Sequence, residues 1–295
     1  MNKVAFYVMN LKGYFVVKNF IEKFGVNSIS YIVSSRDETM KEDCFEAIET
    51  LAIKSKIKFL NRFENITELE SLKNVYKFAI GWRWIIKNEN NLIVFHDSLL
   101  PKYRGFAPLI NSLINKESQG GVTALFANSD YDKGNIIAQE GFKLNYPAKI
   151  DTVIEQIQPV YFNLVVKIFK DISENVPLYA SKQNEENATY SPWLNNEDYY
   201  IDWNWNAEKI KRFIDAVGYP YDGAKAYLNG KIIYFIDVKV IEDVVVESRS
   251  RHIGKVIFVK NGYPVVVCEE GLIQLVDIRD EESNSFFVNF RSKFN

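Results

Sequence analysis

The chain is short of the residues that most often announce a function. It has two cysteines and two histidines in 295 residues. Cys44 and Cys268 stand far apart, with no metal-ligand or redox spacing, which argues against a zinc module, a CxxC centre or a disulfide framework. A reducing, cytoplasmic compartment fits that usage. No run of about 18 uncharged apolar residues exists, so no membrane span is expected. The start, "MNKVAFYVMNLKGYFVV", is interrupted by Asn10, Lys12 and Gly13, unlike the unbroken apolar centre of a signal peptide. Excess charge of one sign is missing too: 36 Lys and Arg oppose 38 Asp and Glu. Such a balance exerts little long-range pull on nucleic acid or an anionic membrane, and neither is expected as a partner.

What is present is a globular composition, 47% hydrophobic and 25% charged. Twenty-one Phe and 17 Tyr suit large cores and stacking surfaces for a flat ligand. The length favours two domains. Strand patterns at 3–9, 28–35, 57–61, 77–82 and 91–97 alternate with helical spacing at 13–25, 37–56 and 66–74. That alternation predicts a Rossmann-like α/β domain whose mostly parallel sheet binds ligands at the carboxyl ends of its strands. A helix at 108–118, strands at 120–128 and 135–144, and a long helix at 151–174, interrupted near Pro159, complete a domain over 1–180. Polar, aperiodic residues 181–200 read as a linker. After it comes one amphipathic helix at 206–218, with Asn206 as its cap. Short strands with turns at Asn229-Gly230 and Asn261-Gly262 follow, predicting a smaller β-rich, barrel-like domain over 201–295. The apolar strands in "GYPVVVCEEGLIQLV" leave two roles open, a homodimer interface or the domain's own core. The aromatic tail "NSFFVNFRSKFN" suggests docking.

Three stretches could carry chemistry. In "NNLIVFHDSLLPKYRG" His96 closes an apolar run, a common way to place a working imidazole. In "NSDYDKGNI" Asp130 and Asp132 precede Gly134. In "GWRWII" two tryptophans and an arginine follow a strand. Singly, each has a plain structural reading: a core histidine, a turn, a packed aromatic pair.

Together, residues 79–136 resemble the folate-dependent formyltransferases, the class that includes the glycinamide ribonucleotide, methionyl-tRNA and sugar N-formyltransferases. The resemblance rests on "HDSLLPKYRG" against the family's Asn-x-His-x-Ser-Leu-Leu-Pro and its Tyr-Arg-Gly turn, and on Asp-x-Gly downstream in "GVTALFANSDYDKGNII". It extends loosely into "YIDWNWNAEKIKRFIDAVGYPYDGAKAY", similar to the start of the barrel-like domain of the methionyl-tRNA and sugar enzymes. It implies N10-formyltetrahydrofolate as co-substrate and no metal. His96 would donate to the oxyanion and move protons, and Asp132 would orient it, help order a relay water and contact the co-substrate. Asp130 and Asp97 are weaker candidates. Trp84, Ile85 and Ile86 would line the folate pocket. Trp82 is divided between that pocket and the core.

The sequence departs from the family at Val94, where the family carries asparagine; Asn128 and Asn111 are possible substitutes for its amide. The acceptor amine is narrowed by two observations. The loop "MNLKGYF" is too poor in glycine for the phosphate cradle of the glycinamide ribonucleotide enzyme. Residues 191–295 carry 13 Lys and Arg against 16 Asp and Glu, a poor surface for gripping tRNA. The expected substrate is a nucleotide-linked amino sugar, formylated for a surface polysaccharide such as a lipopolysaccharide O-antigen. Lys102 and Arg104 are the candidate contacts to its diphosphate, and Tyr103 and Tyr221 to its sugar or base. The alternatives are a methionyl-tRNA formyltransferase, or a catalytically silent relative that binds folate or sugar nucleotide.

Overall fold

The computed structural model describes residues 2–72 and 74–295. They form two compact units. The first runs from the N-terminus through Leu109 and takes in Ser118–Leu144 and Thr152–Pro192. The second is Trp193–Asn295 with two earlier excursions, Ile110–Glu117 and Asn145–Asp151.

The first unit is a seven-stranded sheet. Its strands are β1 (Lys3–Val8), β2 (Ile29–Ser34), β3 (Lys58–Asn61), β4 (Val75–Ile80), β5 (Leu92–His96), β7 (Gln119–Phe126) and β8 (Ile136–Lys143), in the order β3-β2-β1-β4-β5-β7-β8. A two-residue strand β6 (Arg104–Gly105) pairs separately with β9 (Tyr190–Ser191). The first five strands are parallel; β7 runs antiparallel to β5, and β8 antiparallel to β7. Strands such as β1, "KVAFYV", are almost continuously apolar because both faces of the sheet are covered.

Alternation sorts the side chains. Phe6, Phe78 and Phe95 share one face. There Phe6 meets Phe20 of helix α1 (Asn10–Phe24) at 5.0 Å between ring centroids, and Phe20 meets Phe169 of α5 (Ile150–Ser173) at 4.8 Å. Tyr7, Ala79 and Val94 sit in register on the other face. By the same alternation His96 follows Val94 on that second face. Strand order reverses between β1 and β4, so a crevice for ligand is expected at their carboxyl ends, one strand from His96.

Four helices depart from the sequence pattern: the one predicted at 66–74 covers only Thr67–Glu70, the one predicted at 108–118 ends at Ile114, and two others differ more instructively. The predicted helix at 37–56 shrinks to α2 (Phe45–Lys54). Cys44 stands in the left-handed region, and the Asp43 carboxylate accepts the N–H groups of Phe45 and Asp37, so the residues before α2 bond as a loop. In contrast, α5 runs unbroken through Pro159. Both Pro159 and Glu155 are exposed, so water can take the carbonyl that proline leaves unpaired. Short α3 (Thr67–Glu70) and α4 (Pro108–Ile114) complete this stretch.

The second unit has helix α6 (Ala207–Ala216), capped by Asn206, which accepts the Lys209 N–H at 2.8 Å. It also has an antiparallel sheet of β10 (Ala224–Leu228), β11 (Lys231–Ile241), β12 (Val256–Lys260), β13 (Tyr263–Val267) and β14 (Leu272–Arg279), ordered β10-β11-β14-β13-β12. Asn229-Gly230 and Asn261-Gly262 turn its hairpins with positive φ at all four residues. The tail docks across both edges. Val256 and Arg291–Ser292 exchange backbone bonds at the β12 edge, and Tyr227 and Asn295 do so at the β10 edge, giving the unit its barrel-like closure. Val265, Val266 and Val267 are fully buried within this chain and so belong to the unit's own core.

Candidate active site

His96 is the last residue of β5, and the segment after it folds into a braced turn. The Ser98 hydroxyl donates to the Lys102 carbonyl at 2.7 Å. Fully buried Thr123 of β7 accepts from the Leu100 N–H at 3.0 Å and donates to the Ser98 carbonyl at 2.6 Å. Gln139 of β8 donates to Thr123 Oγ1 and to the Leu100 carbonyl, both at 2.8 Å. The turn brings the chain back so that the Tyr103 carbonyl lies 2.7 Å from His96 Nε2. A carbonyl only accepts, so Nε2 carries a hydrogen and donates it there. Nδ1 is left facing Asp132 Oδ1 at 3.6 Å, with both side chains largely buried.

Asp132 reaches this position from the loop between β7 and β8. Its other carboxylate oxygen accepts the Gly105 N–H at 2.8 Å. The loop depends on Gly134: a Cβ there would lie 1.7 Å from the Phe126 carbonyl oxygen, so no other residue fits without moving backbone. The structure thus brings together His96, Asp132 and the backbone of Tyr103 and Gly105. An imidazole held at one nitrogen and facing a carboxylate with the other can accept a proton at Nδ1 and have the resulting charge balanced.

The remaining candidates are set differently. Asp130 is exposed and pairs with Lys133 at 3.1 Å. Asp97 points to the opposite face, where it pairs with Lys12 and accepts from the Tyr161 hydroxyl. Burial alone would raise the Asp97 carboxyl, but the Lys12 ammonium outweighs it, with Tyr161 and His96 adding to the effect, and holds it below its ordinary value. Lys102 is exposed. The Arg104 guanidinium, expected to meet a diphosphate, is 0% exposed and turned inward onto Gln183, Glu185 and Tyr190; burial leaves it no face toward a ligand. Tyr221 belongs to the second unit, where its N–H bonds the Gly218 carbonyl. Asn128 is exposed and caps its own turn, accepting from Ser129 at 3.0 Å; Asn111 lies on α4.

On the loop after β4, Ile86 is buried and Ile85 is 73% exposed. Trp84 is half-buried, with the Arg62 guanidinium 4.0 Å from its ring centre. Trp82 packs edge-on to Tyr7 at 5.4 Å and to Trp84 at 5.2 Å. Val94, Trp82 and Ala127 are half-buried against an apolar cluster that includes Tyr7, Ala79 and Ile86. The indole Nε1 of Trp82 is buried without a hydrogen-bond partner. An apolar surface with one unmatched donor suits a flat heterocycle bearing acceptors.

The sequence reading missed Lys12, Tyr161, Thr123, Gln139 and Gln183. A threonine and a glutamine inside strand patterns were weak signals for Thr123 and Gln139. Lys12 had one as well, as a lysine in an apolar N-terminal stretch. Nothing local marked Tyr161 or Gln183.

A family model described as Formyl transferase matches residues 75–166, and one described as Formyl transferase, C-terminal domain matches residues 194–289. The chain is 29% identical over 222 residues to a methionyl-tRNA formyltransferase of Thermodesulfovibrio yellowstonii, spanning 73% of this chain and 69% of the relative. A sugar 3N-formyl transferase, WlaRD, solved in the presence of dTDP and 5-N-formyl-THF, superposes with a TM-score of 0.70 at 18% identity, covering 93% of this chain and 97% of its own. An N-formyltransferase from Helicobacter canadensis, in complex with folinic acid and dTDP-3-aminofucose, gives 0.68 at 19% identity, with 93% and 99% covered. The last two share the fold with this chain.

Proposed function

Because the chain belongs to the folate-dependent formyltransferase family, we propose that it moves a formyl group from N10-formyltetrahydrofolate to the amine of a nucleotide-linked amino sugar. The observation that carries the mechanism is His96 held between the Tyr103 carbonyl and the Asp132 carboxylate at the end of β5.

The folate supplies an activated formyl group. This chain supplies positioning and proton management. As the amine adds to the formyl carbon, the carbonyl oxygen gains negative charge and the nitrogen must lose a proton. His96 Nδ1 takes that proton, directly or through one water, and Asp132 balances the imidazolium; the imidazolium then returns the proton to the folate N10 as the bond from the formyl carbon to N10 breaks and the oxyanion collapses to the formamide. The Nε2–H can pass from the Tyr103 carbonyl to the developing oxyanion, a contact of a type worth roughly 10²–10³ in rate. Trp82, Trp84, Ile85 and Ile86 would hold the folate ring system.

Two considerations favour a sugar nucleotide as acceptor. Residues 191–295 bear 13 basic against 16 acidic side chains, which opposes wrapping by a polyanion. The two sugar-modifying structures also match nearly the full length of this chain. Sequence similarity to a methionyl-tRNA formyltransferase favours the second reading, formylation of a charged tRNA. Val94 motivates a third, a silent binder of folate or sugar nucleotide.

One assay separates them. The protein is incubated with N10-formyltetrahydrofolate and either a panel of uridine-, thymidine- and guanosine-diphosphate amino sugars or methionyl-tRNA, and products are read by mass spectrometry. A formylated sugar nucleotide, lost in His96→Ala, is the expected result. Formylation of methionyl-tRNA alone would overturn the sugar reading. Folate binding without product from any acceptor would favour the silent binder.

A further inference from the structure

We propose that Gln183 is a positioning residue for formyl transfer: with Arg104 behind it, it clamps the backbone that presents Asp132 to His96. The inference rests on the reading of His96 and Asp132 given above.

The Asp132 backbone needs a clamp. Its φ is +53°, in the left-handed region, which Asp tolerates better than most residues but which is still disfavoured for any residue with a Cβ. The Gly105 N–H fixes the carboxylate, but that bond acts on the side chain. The backbone is held by Gln183, whose Nε2 donates to the Asp132 carbonyl at 2.6 Å and to the Gly134 carbonyl at 2.9 Å. Both ends of the Asp-x-Gly tripeptide are therefore tied to one amide.

That amide is itself fully committed. Gln183 Oε1 accepts from Arg104 Nε at 3.0 Å and from Nη2 at 2.8 Å. Arginine only donates and carbonyls only accept, so the amide can face one way only, and both its N–H groups are used. Arg104 is anchored in turn. Its two terminal nitrogens bond the two carboxylate oxygens of Glu185, each at 2.8 Å, and Nη1 also bonds the Tyr190 hydroxyl at 3.1 Å. Glu185 is mostly exposed, so the buried guanidinium keeps its charge paired without isolating a second charge from water.

Arg104 also lies between the two backbone groups of the site. Tyr103, just before it, offers the carbonyl to His96, and Gly105, just after it, offers the N–H to Asp132. Residue 104 thereby couples both members of the His96–Asp132 pair, and Gln183 closes the second link back to Asp132. A general structural brace could sit anywhere on this unit. This one converges on the atoms that set the spacing of the pair, and misplacement by about 1 Å there can cost about 10² in rate.

The test uses the full-length protein and steady-state formyl transfer to whichever acceptor the panel identifies. Gln183→Met keeps the length and packing while removing all four hydrogen bonds. The expected result is a ten- to hundredfold fall in kcat, KM for folate and acceptor within threefold of wild type, and a cooperative melt. Asp132→Ala/Gln183→Met should be no slower than Asp132→Ala, because the clamp has nothing left to position. If Gln183→Met fails to fold, Gln183→Glu replaces it: the Arg104 contacts remain, and the two donations to the loop carbonyls become carboxylate–carbonyl repulsion, with the same kcat-only loss expected. Wild-type kcat, a rise in KM alone, or losses that multiply in the double variant would overturn the inference. Wild-type turnover by His96→Ala or Asp132→Ala would instead overturn the underlying assignment of the pair.

Discussion

Asp132→Asn isolates the charge of Asp132 from its shape. The amide oxygen of Asn can still accept the Gly105 N–H, so the loop geometry should persist. What disappears is a negative charge 3.6 Å from His96 Nδ1, in a pair whose side chains are 8% and 15% exposed. Two unit charges about 4 Å apart interact by about 4 kcal/mol at an effective dielectric near 20. That attraction exists only once the imidazole carries the amine's proton, so it lowers the barrier more than it stabilises the resting enzyme. At about 1.36 kcal/mol per tenfold, losing all of it would slow the step by about 10³, and water at the partly exposed carboxylate reduces this toward 10². The measurement is single-turnover transfer with saturating folate, quenched and read by mass spectrometry, beside a thermal melt of the same sample. A fall of 10²–10³ with an unchanged melt is expected. A folded variant within threefold of wild type would refute the proton-balancing role.

Two further perturbations probe the surroundings. Asp97→Asn should cost about 3–5 kcal/mol in denaturant titration, because it strands the buried Lys12 ammonium, whereas Lys12→Met/Asp97→Leu should cost much less. A cost under 1 kcal/mol for the single variant would contradict the buried-pair reading. The sign of the pH effect follows from the depressed Asp97 pKa. Its stabilisation is complete above the unfolded value near 3.9 and is lost as pH falls through the lower folded value. The melting temperature of wild type should therefore fall on acidification below about pH 4 more steeply than that of the double variant. Val94→Asn places an amide among half-buried apolar neighbours, so the melt should drop by a few degrees, from a burial cost of about 1–2 kcal/mol. It should also raise kcat at least threefold, because it adds a second oxyanion donor beside the His96 Nε2–H. An unchanged kcat would mean that another group already provides it.

Much of the fold was legible because parallel strands covered on both faces must be apolar throughout, and "KVAFYV" and "LIVFH" announce themselves that way. The hairpin turns were equally plain, since Asn-Gly satisfies a backbone demand that few other pairs meet. Boundaries failed where side chains bond to local backbone. Asp43 diverts residues 37–44 from a helix whose periodicity was otherwise acceptable. Pro159 misled in the other direction: helix geometry tolerates a lost bond on a wet face when the buried face, here Val153, Ile157, Tyr161 and Leu164, holds the segment down.

The candidate pair His96 and Asp132 was marked in the sequence by its motifs, and the structure sets the two side chains 3.6 Å apart. The pair's support was not legible, because composition shows what a segment can bond and leaves open whether it bonds water or protein. Residues 181–191 look like a solvated linker: polar, aperiodic, rich in Asn, Gln and Glu. In the structure Ser181 pairs with Ile136, Gln183 grips the Asp132 loop, Glu185 holds Arg104, Thr189 bonds Tyr103 and Arg104, and Ser191 pairs with Gly105. Every one of those partners lies at least 45 positions away in sequence, beyond any local pattern. The same blindness misplaced Arg104, which reads as a phosphate contact beside Lys102 and Tyr103. An arginine beside a reaction centre has two uses, to meet an anionic ligand or to brace the site from behind. The choice depends on whether a distant carboxylate and amide are waiting for it, and here Glu185 and Gln183 are.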